Sequence, residues 1–320
     1  MPREKEIDPY RLHYRRNSLH WKTYHGDIHV VRQWLSNGGD PNLRMVNGQT
    51  LLHAATHGGW LEIVKLLIAH GADVNACSIE TPYHTYPVQI AVYNGLLDIL
   101  DLLVTHGADI TVETEDGCTL IHLAVFGYSS EVVQYLLERE ADIEIPAKSG
   151  VTPLCSATMH SYREITELLL RVGANPNAEY CGTFTPLTQN RDPDITRLLI
   201  AYGAEVNFLC SNGRTPLFEV GSIEAFEVMM EHGARLDVID NAGNTLLHRA
   251  AEMSDNDTNG KTHEIVYHTL PESMRIAALF VAQGLDINRR NHEGLTPLAI
   301  AIAEDNEEMA TFLRSHGGIE

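Results

Sequence analysis

Apolar residues recur three and four positions apart in short runs, as in Leu61, Val64, Leu67 and Ile68, and again in Val132, Val133, Leu136 and Leu137. That spacing lines one face of a short helix. The runs stop at glycine, at Gly71, Gly107, Gly173, Gly203, Gly233 and Gly284, where a left-handed residue after the last turn is cheapest without a Cβ. A second, shorter helix precedes each run. A Thr opens it and can cap the free amides, and Pro often follows at the first helical position, where a missing N–H costs nothing. With that residue as a ruler, units begin at Asn17, Thr50, Tyr86, Thr119, Thr152, Thr185, Thr215, Thr245 and Thr296, at intervals of 33, 36, 33, 33, 33, 30, 30 and 51. The pattern predicts an all-α chain of nine units, each two antiparallel helices and a hairpin-like connection. No unit can bury its apolar face alone, so neighbours stack into a solenoid with a continuous core.

Two motifs keep phase with this period. One is Thr50-Leu51-Leu52-His53, with variants Thr119-Leu120-Ile121-His122, Thr152-Pro153-Leu154-Cys155, Thr215-Pro216-Leu217-Phe218, Thr245-Leu246-Leu247-His248 and Thr296-Pro297-Leu298-Ala299. The other is His70-Gly71-Ala72-Asp73-Val74-Asn75, with His106-Gly107-Ala108-Asp109, Val172-Gly173-Ala174-Asn175-Pro176-Asn177, Tyr202-Gly203-Ala204-Glu205-Val206-Asn207 and His232-Gly233-Ala234. On these residues the chain resembles the ankyrin-repeat family over 17–318. The resemblance implies an ankyrin solenoid with hairpin fingers and a concave groove, and a non-catalytic module that binds another protein as adaptor, scaffold or inhibitor. It also implies candidate asparaginyl hydroxylation at Asn75, Asn177 and Asn207, each with a leucine eight residues before it (Leu67, Leu169, Leu199), in a host that has such an enzyme.

In that family, side chains about eight residues after the motif Thr face the groove. Here they are Tyr24 and His25, His57, Tyr93 and Asn94, Phe126, and Met159 and His160. A row of aromatic and Met side chains suits a protein interface; packing against the next repeat is the competing reading. Hairpin tips add Arg44 and Met45, apolar and basic, and Glu115 and Asp116, acidic. The acidic tip beside Phe126 suits a partner carrying a Lys or Arg next to an apolar anchor.

Charge narrows the partner class. The chain carries 43 acidic and 23 basic residues, a formal net charge of −20, which repels phosphate backbones and disfavours nucleic acid. Residues 1–16 form a polar leader with a slight basic excess. Five cysteines without a CxxC pair suggest neither a disulfide framework nor a zinc site. No membrane span or signal peptide is legible. A monomer in the cytoplasm, without cofactor or metal, is expected; the nucleus or delivery into a host cytosol fits equally.

The seventeen histidines raise the alternative of an enzyme or a small-molecule or metal binder. The repeat accounts for His20, His53, His122 and His248 as loop-bonding residues, and for His70, His106, His232 and His316 as residues at the negative end of a helix dipole. No catalytic or phosphate-cradling motif is present. Three irregularities remain. The loop 76–85 is three residues longer than standard. Shortened first helices predict a bend over 185–225, with Asp192 and Pro193 starting the next helix. An insertion over 254–271 in the eighth repeat would serve as a clasp for the partner, as part of the alternative site, or as a neutral loop.

Overall fold

The computed structural model describes residues 18–45, 48–78, 85–190, 192–252 and 272–320. The insertion over 254–271, the leader and the opening Asn17 lie outside the described residues. The chain divides into two compact units, Met1–Lys148 and Ser149–Glu320. Among the described residues there are helices and isolated bridges but no strands.

Among its described residues the first unit holds four helix pairs: α1 (Leu19–Tyr24) with α2 (Ile28–Ser36), α3 (Leu51–His57) with α4 (Leu61–Ala69), α5 (Pro87–Tyr93) with α6 (Leu97–Thr105), and α7 (Leu120–Phe126) with α8 (Ser130–Leu137). The first helices pack side by side in chain order, and so do the second helices. Their apolar faces meet in a core that includes Leu51, Leu52, Ile63, Leu67, Leu100, Leu103, Leu120, Ile121 and Leu136, all essentially inaccessible.

The second unit pairs α9 (Pro153–Met159) with α10 (Arg163–Arg171), α11 (Pro186–Gln189) with α12 (Pro193–Ala201), a 3-10 helix (Pro216–Glu219) with α13 (Ile223–Glu231), α14 (Leu246–Glu252) with α15 (Glu272–Ala282), and α16 (Pro297–Ala303) with α17 (Glu307–Ser315). Two of its first helices are stunted. The four-residue α11 packs between α9 and the 3-10 helix. Asn190 turns the chain by donating to the Asp192 carbonyl at 2.8 Å and the Thr196 hydroxyl at 2.9 Å. Asp192 then caps α12, accepting from the amides of Asp194 and Ile195, with Pro193 in the first turn.

The histidine of the motif pins one repeat to the next. In α3, His53 Nδ1 accepts from the Thr50 amide at 3.1 Å, and Nε2 reaches the Thr85 carbonyl at 3.0 Å. Only a donor can meet that carbonyl, so the proton sits on Nε2. His248 repeats the arrangement with Thr245 and Leu295, and His20 reaches the Leu43 carbonyl at 3.1 Å. Burial lowers the pKa of all three, that of His53 to about 4. Elsewhere another residue serves: Gln89 accepts from the Tyr86 amide at 3.1 Å in α5. His70, His106, His232 and His316 each bond the carbonyl four residues back, closing the end of a helix.

Asparagines staple the hairpins. Asn75 Nδ2 donates to the Gly107 carbonyl at 2.8 Å while its Oδ1 accepts from the Asp109 amide at 2.9 Å. Asn177 and Asn207, its fellow candidates for hydroxylation, bind the next hairpin in the same two-point way.

Candidate protein-interaction surface

The register of the helices decides which side chains form a row. Tyr24, His57, Tyr93 and Phe126 are the last residues of α1, α3, α5 and α7, and His25 and Asn94 are the residues just after two of them. Because those helices pack in order, the four residues occupy one position in four successive repeats. Tyr24 and His57 are half-buried, whereas Tyr93 keeps 53% and Phe126 39% of its surface exposed. His25 stacks on Trp21 at 3.9 Å and touches the Tyr24 ring edge-on. The Asn94 amide donates to the Ile90 carbonyl at 3.0 Å.

Glycines let the row close up. A Cβ at Gly58 would collide with the Tyr24 carbonyl, and one at Gly127 with the Tyr93 carbonyl. Each glycine directly follows the last residue of its helix, so backbones approach where the exposed rings leave them.

Two aromatic residues missed by the sequence reading enlarge this surface. Trp60, 42% exposed, lies over Gly26 and Gly58, and its indole N–H donates to the Tyr24 carbonyl at 2.8 Å. Tyr128, 63% exposed, follows Phe126 by two positions at a φ of 52°. The signal for both was present: Gly58-Gly59-Trp60 and Gly127-Tyr128 put a ring in the turn after the first helix. Beside them a cavity of about 420 Å³ opens between turns, floored by Gly59, Leu61, Gly95 and Leu96 and edged by Asp98 and Glu131. Aromatic rings next to a hollow of mixed polarity with two carboxylates suit a basic side chain that has an apolar neighbour.

The hairpin candidates behave differently from one another. The Arg44 guanidinium donates to the Gly48 carbonyl at 3.0 Å and the Cys77 carbonyl at 2.7 Å, so its charge braces two hairpins. Met45 is half-buried. Glu115 and Asp116 are exposed, and the Asp116 carbonyl accepts from the Lys148 amide at 2.8 Å. In the second unit Met159 ends α9 and is exposed, with its sulfur accepting from the Tyr180 hydroxyl at 3.6 Å. His160 follows it, stacked with Tyr162.

Among the described residues no three of His, Cys, Asp and Glu converge as metal ligands. The five cysteines are free thiols. No described helix is long and apolar enough to cross a membrane.

The stacked helix pairs, the Thr–His pins and the asparagine staples define a repeat architecture, and a family model described as ankyrin repeats (three copies) matches residues 19–114, 88–180 and 187–259. The chain belongs to the ankyrin-repeat family. Domains of this family are in general protein–protein interaction modules and generally non-enzymatic. A putative ankyrin repeat protein, FPV222, of Fowlpox virus (strain NVSL) is 37% identical over 68 residues, which is 21% of this chain and 9% of that protein. Among solved structures, the human ASB11 ankyrin repeat domain aligns with a TM-score of 0.60 and 23% identity, covering 68% of this chain and 99% of that one. The ankyrin repeat domain of Bcl-3, described as a unique member of the IkappaB protein family, aligns with a TM-score of 0.57 and 27% identity, over 66% of this chain and 97% of that one.

Proposed function

We propose that this chain is a non-catalytic adaptor, scaffold or inhibitor that binds a partner protein through the row of first-helix ends, on the concave face of a single array over 17–320. The observation that carries the reading is the exposure of Tyr93 and Phe126 at one register of adjacent repeats, flanked by Trp60 and Tyr128. Exposed aromatics in a contiguous group are unusual on a surface without a partner. The partner is expected to present an apolar anchor beside a Lys or Arg, which would sit against Asp98 and Glu131, and a second basic group facing the acidic tip at Glu115 and Asp116, before the other end of α7. The negative charge would raise the association rate without contributing most of the affinity. The surface works in a monomer, and the five free thiols suit a reducing compartment such as the cytoplasm.

The test compares the wild-type chain with a Tyr93→Ala, Phe126→Ala variant against each protein the wild type captures. Phe126 keeps only 39% of its surface exposed, so the variant should melt somewhat lower, and binding is compared at a temperature where both chains are folded. Loss of two anchors should weaken binding by about a hundredfold or more. A separate Asp98→Lys, Glu131→Lys variant should bind more slowly, with the difference shrinking as salt rises. Unchanged affinity in the aromatic variant would remove the row as the binding surface.

A further inference from the structure

The second unit contains a hydrogen-bonding site from which its usual occupant is missing. Five asparagines fill the equivalent site between hairpins: Asn42, Asn75, Asn177, Asn207 and Asn288. Each donates from Nδ2 to the carbonyl of a glycine, at 2.8 to 3.0 Å, and each accepts at Oδ1 from the amide two residues beyond it, at 2.7 to 2.9 Å. The glycine carbonyl and the later amide therefore form a fixed acceptor–donor pair that matches one primary carboxamide.

At the junction after α13 the asparagine position holds Asp237. A carboxylate has no proton for the Gly284 carbonyl. Asp237 instead takes both ends of its neighbour Arg235, Nε and Nη2 each at 3.0 Å. Neither the Gly284 carbonyl nor the Asp286 amide has a hydrogen-bond partner among the described residues. A cavity of about 290 Å³ lies between them and Asp237, with Ile239 and Leu285 in its walls and Arg289 at its edge.

We propose that this cavity receives the carboxamide of an asparagine or glutamine side chain from a partner protein. The acceptor and donor are set by the same backbone segment that binds Asn in five other places, so the complementary group is already known from the chain itself. Ile239 and Leu285 would cover the methylenes behind the carboxamide. Asp237 and Asp286 disfavour a carboxylate there, and an ammonium group has no acceptor to offer the Asp286 amide. The site is separate from the aromatic row of the first unit and stands or falls without it.

The experiment uses the full-length chain, uniformly labelled with 15N, titrated with N-acetyl-asparagine methylamide and, separately, with the aspartate counterpart. The Asp286 amide resonance should move saturably with the first probe and stay in place with the second. Asp237→Asn supplies the staple from within: it should abolish the shift and raise Tm by about 2–4 °C. Asp237→Ala leaves the cavity open and should retain the shift. A stationary Asp286 resonance, an equal response to the aspartate probe, or an Asp237→Asn chain that melts no higher and still responds would overturn the proposal.

Discussion

Lowering the pH from 7 to 4 should destabilise the first unit by about 3 kcal/mol through His53 alone. The ring is buried, and burial lowers its pKa from 6.5 to about 4. In the unfolded chain the imidazole takes up a proton as the pH falls through 6.5, while in the folded chain it stays neutral until about 4. Over that window the unfolded state binds more protons, so stability falls with falling pH, and the loss is complete once the folded ring titrates. The geometry explains the direction. Nδ1 is committed as an acceptor from the Thr50 amide, so a second ring proton would break the cap that starts α3. His20 and His248, also depressed by burial, shift the same way. The control is His53→Gln, because Gln89 already performs this capping in α5. Urea unfolding at several pH values should show the advantage of the wild type over the variant shrinking by about 3 kcal/mol between pH 7 and 4. Parallel pH profiles, or a folded-state His53 titrating near 6.5 by NMR, would contradict it.

The architecture was legible because its signals are local and repeated. Thr50 and Gly71 act within a few residues of themselves, as does the Nδ1 side of His53, and each recurs at its period, so helix starts, caps and stops could be read without the fold. The Asp192 cap and Pro193 were read for the same reason. The candidate row was legible in register, since Tyr24, His57, Tyr93 and Phe126 fall at the end of each first helix. Their exposure was not: Tyr24 is half-buried, with the His25 ring against its edge, and Tyr93 is 53% exposed. Arg44 reads as a free basic tip along the chain, yet the carbonyl it binds at Cys77 lies 33 residues away. The pairing of Arg214 with Asp240 was equally hidden, because these charges sit at unrelated positions of their repeats; Glu219 and Arg249 share one position, four residues after the motif Thr, in adjacent repeats, a signal the sequence reading passed over. The lost staple at Asp237 was visible in the sequence as a departure from Asn, but its consequence depended on where Arg235 would hold the carboxylate.

Replacing Glu219 by alanine should cost about 3–5 kcal/mol, well above the typical single substitution. Glu219 closes the 3-10 helix that stands where other repeats have a full first helix, so that repeat offers less apolar surface to α14. A charge network replaces part of the attachment. One Glu219 oxygen accepts from Arg214 Nη1 at 3.0 Å and the other from Arg249 Nη2 at 2.7 Å. Arg214 Nε also meets Asp240 at 3.2 Å, and Arg249 Nη1 meets Glu252 at 3.3 Å. The side chains of Glu219 and Asp240 keep only 8% and 5% of their exposure, so neither carboxylate is left to water. Removing Glu219 takes the shortest ion pair from each of two mostly covered guanidinium groups, leaving Arg214 to Asp240 and Arg249 to Glu252, and a covered charge that loses a partner costs more than the pair contributes. Glu219→Gln keeps the shape and one acceptor, so its cost should be about 1–3 kcal/mol. Because the cost comes from covered charges that lose a partner, Glu219→Leu combined with Arg249→Leu should recover part of the loss, and burial should keep all these differences nearly constant between low and high salt. Urea unfolding of the three variants decides it. A Glu219→Ala chain within about 1 kcal/mol of wild type would mean that the 3-10 helix is held by Leu217 and Phe218 alone, and a double variant no better than the single one would show that the loss does not come from Arg249.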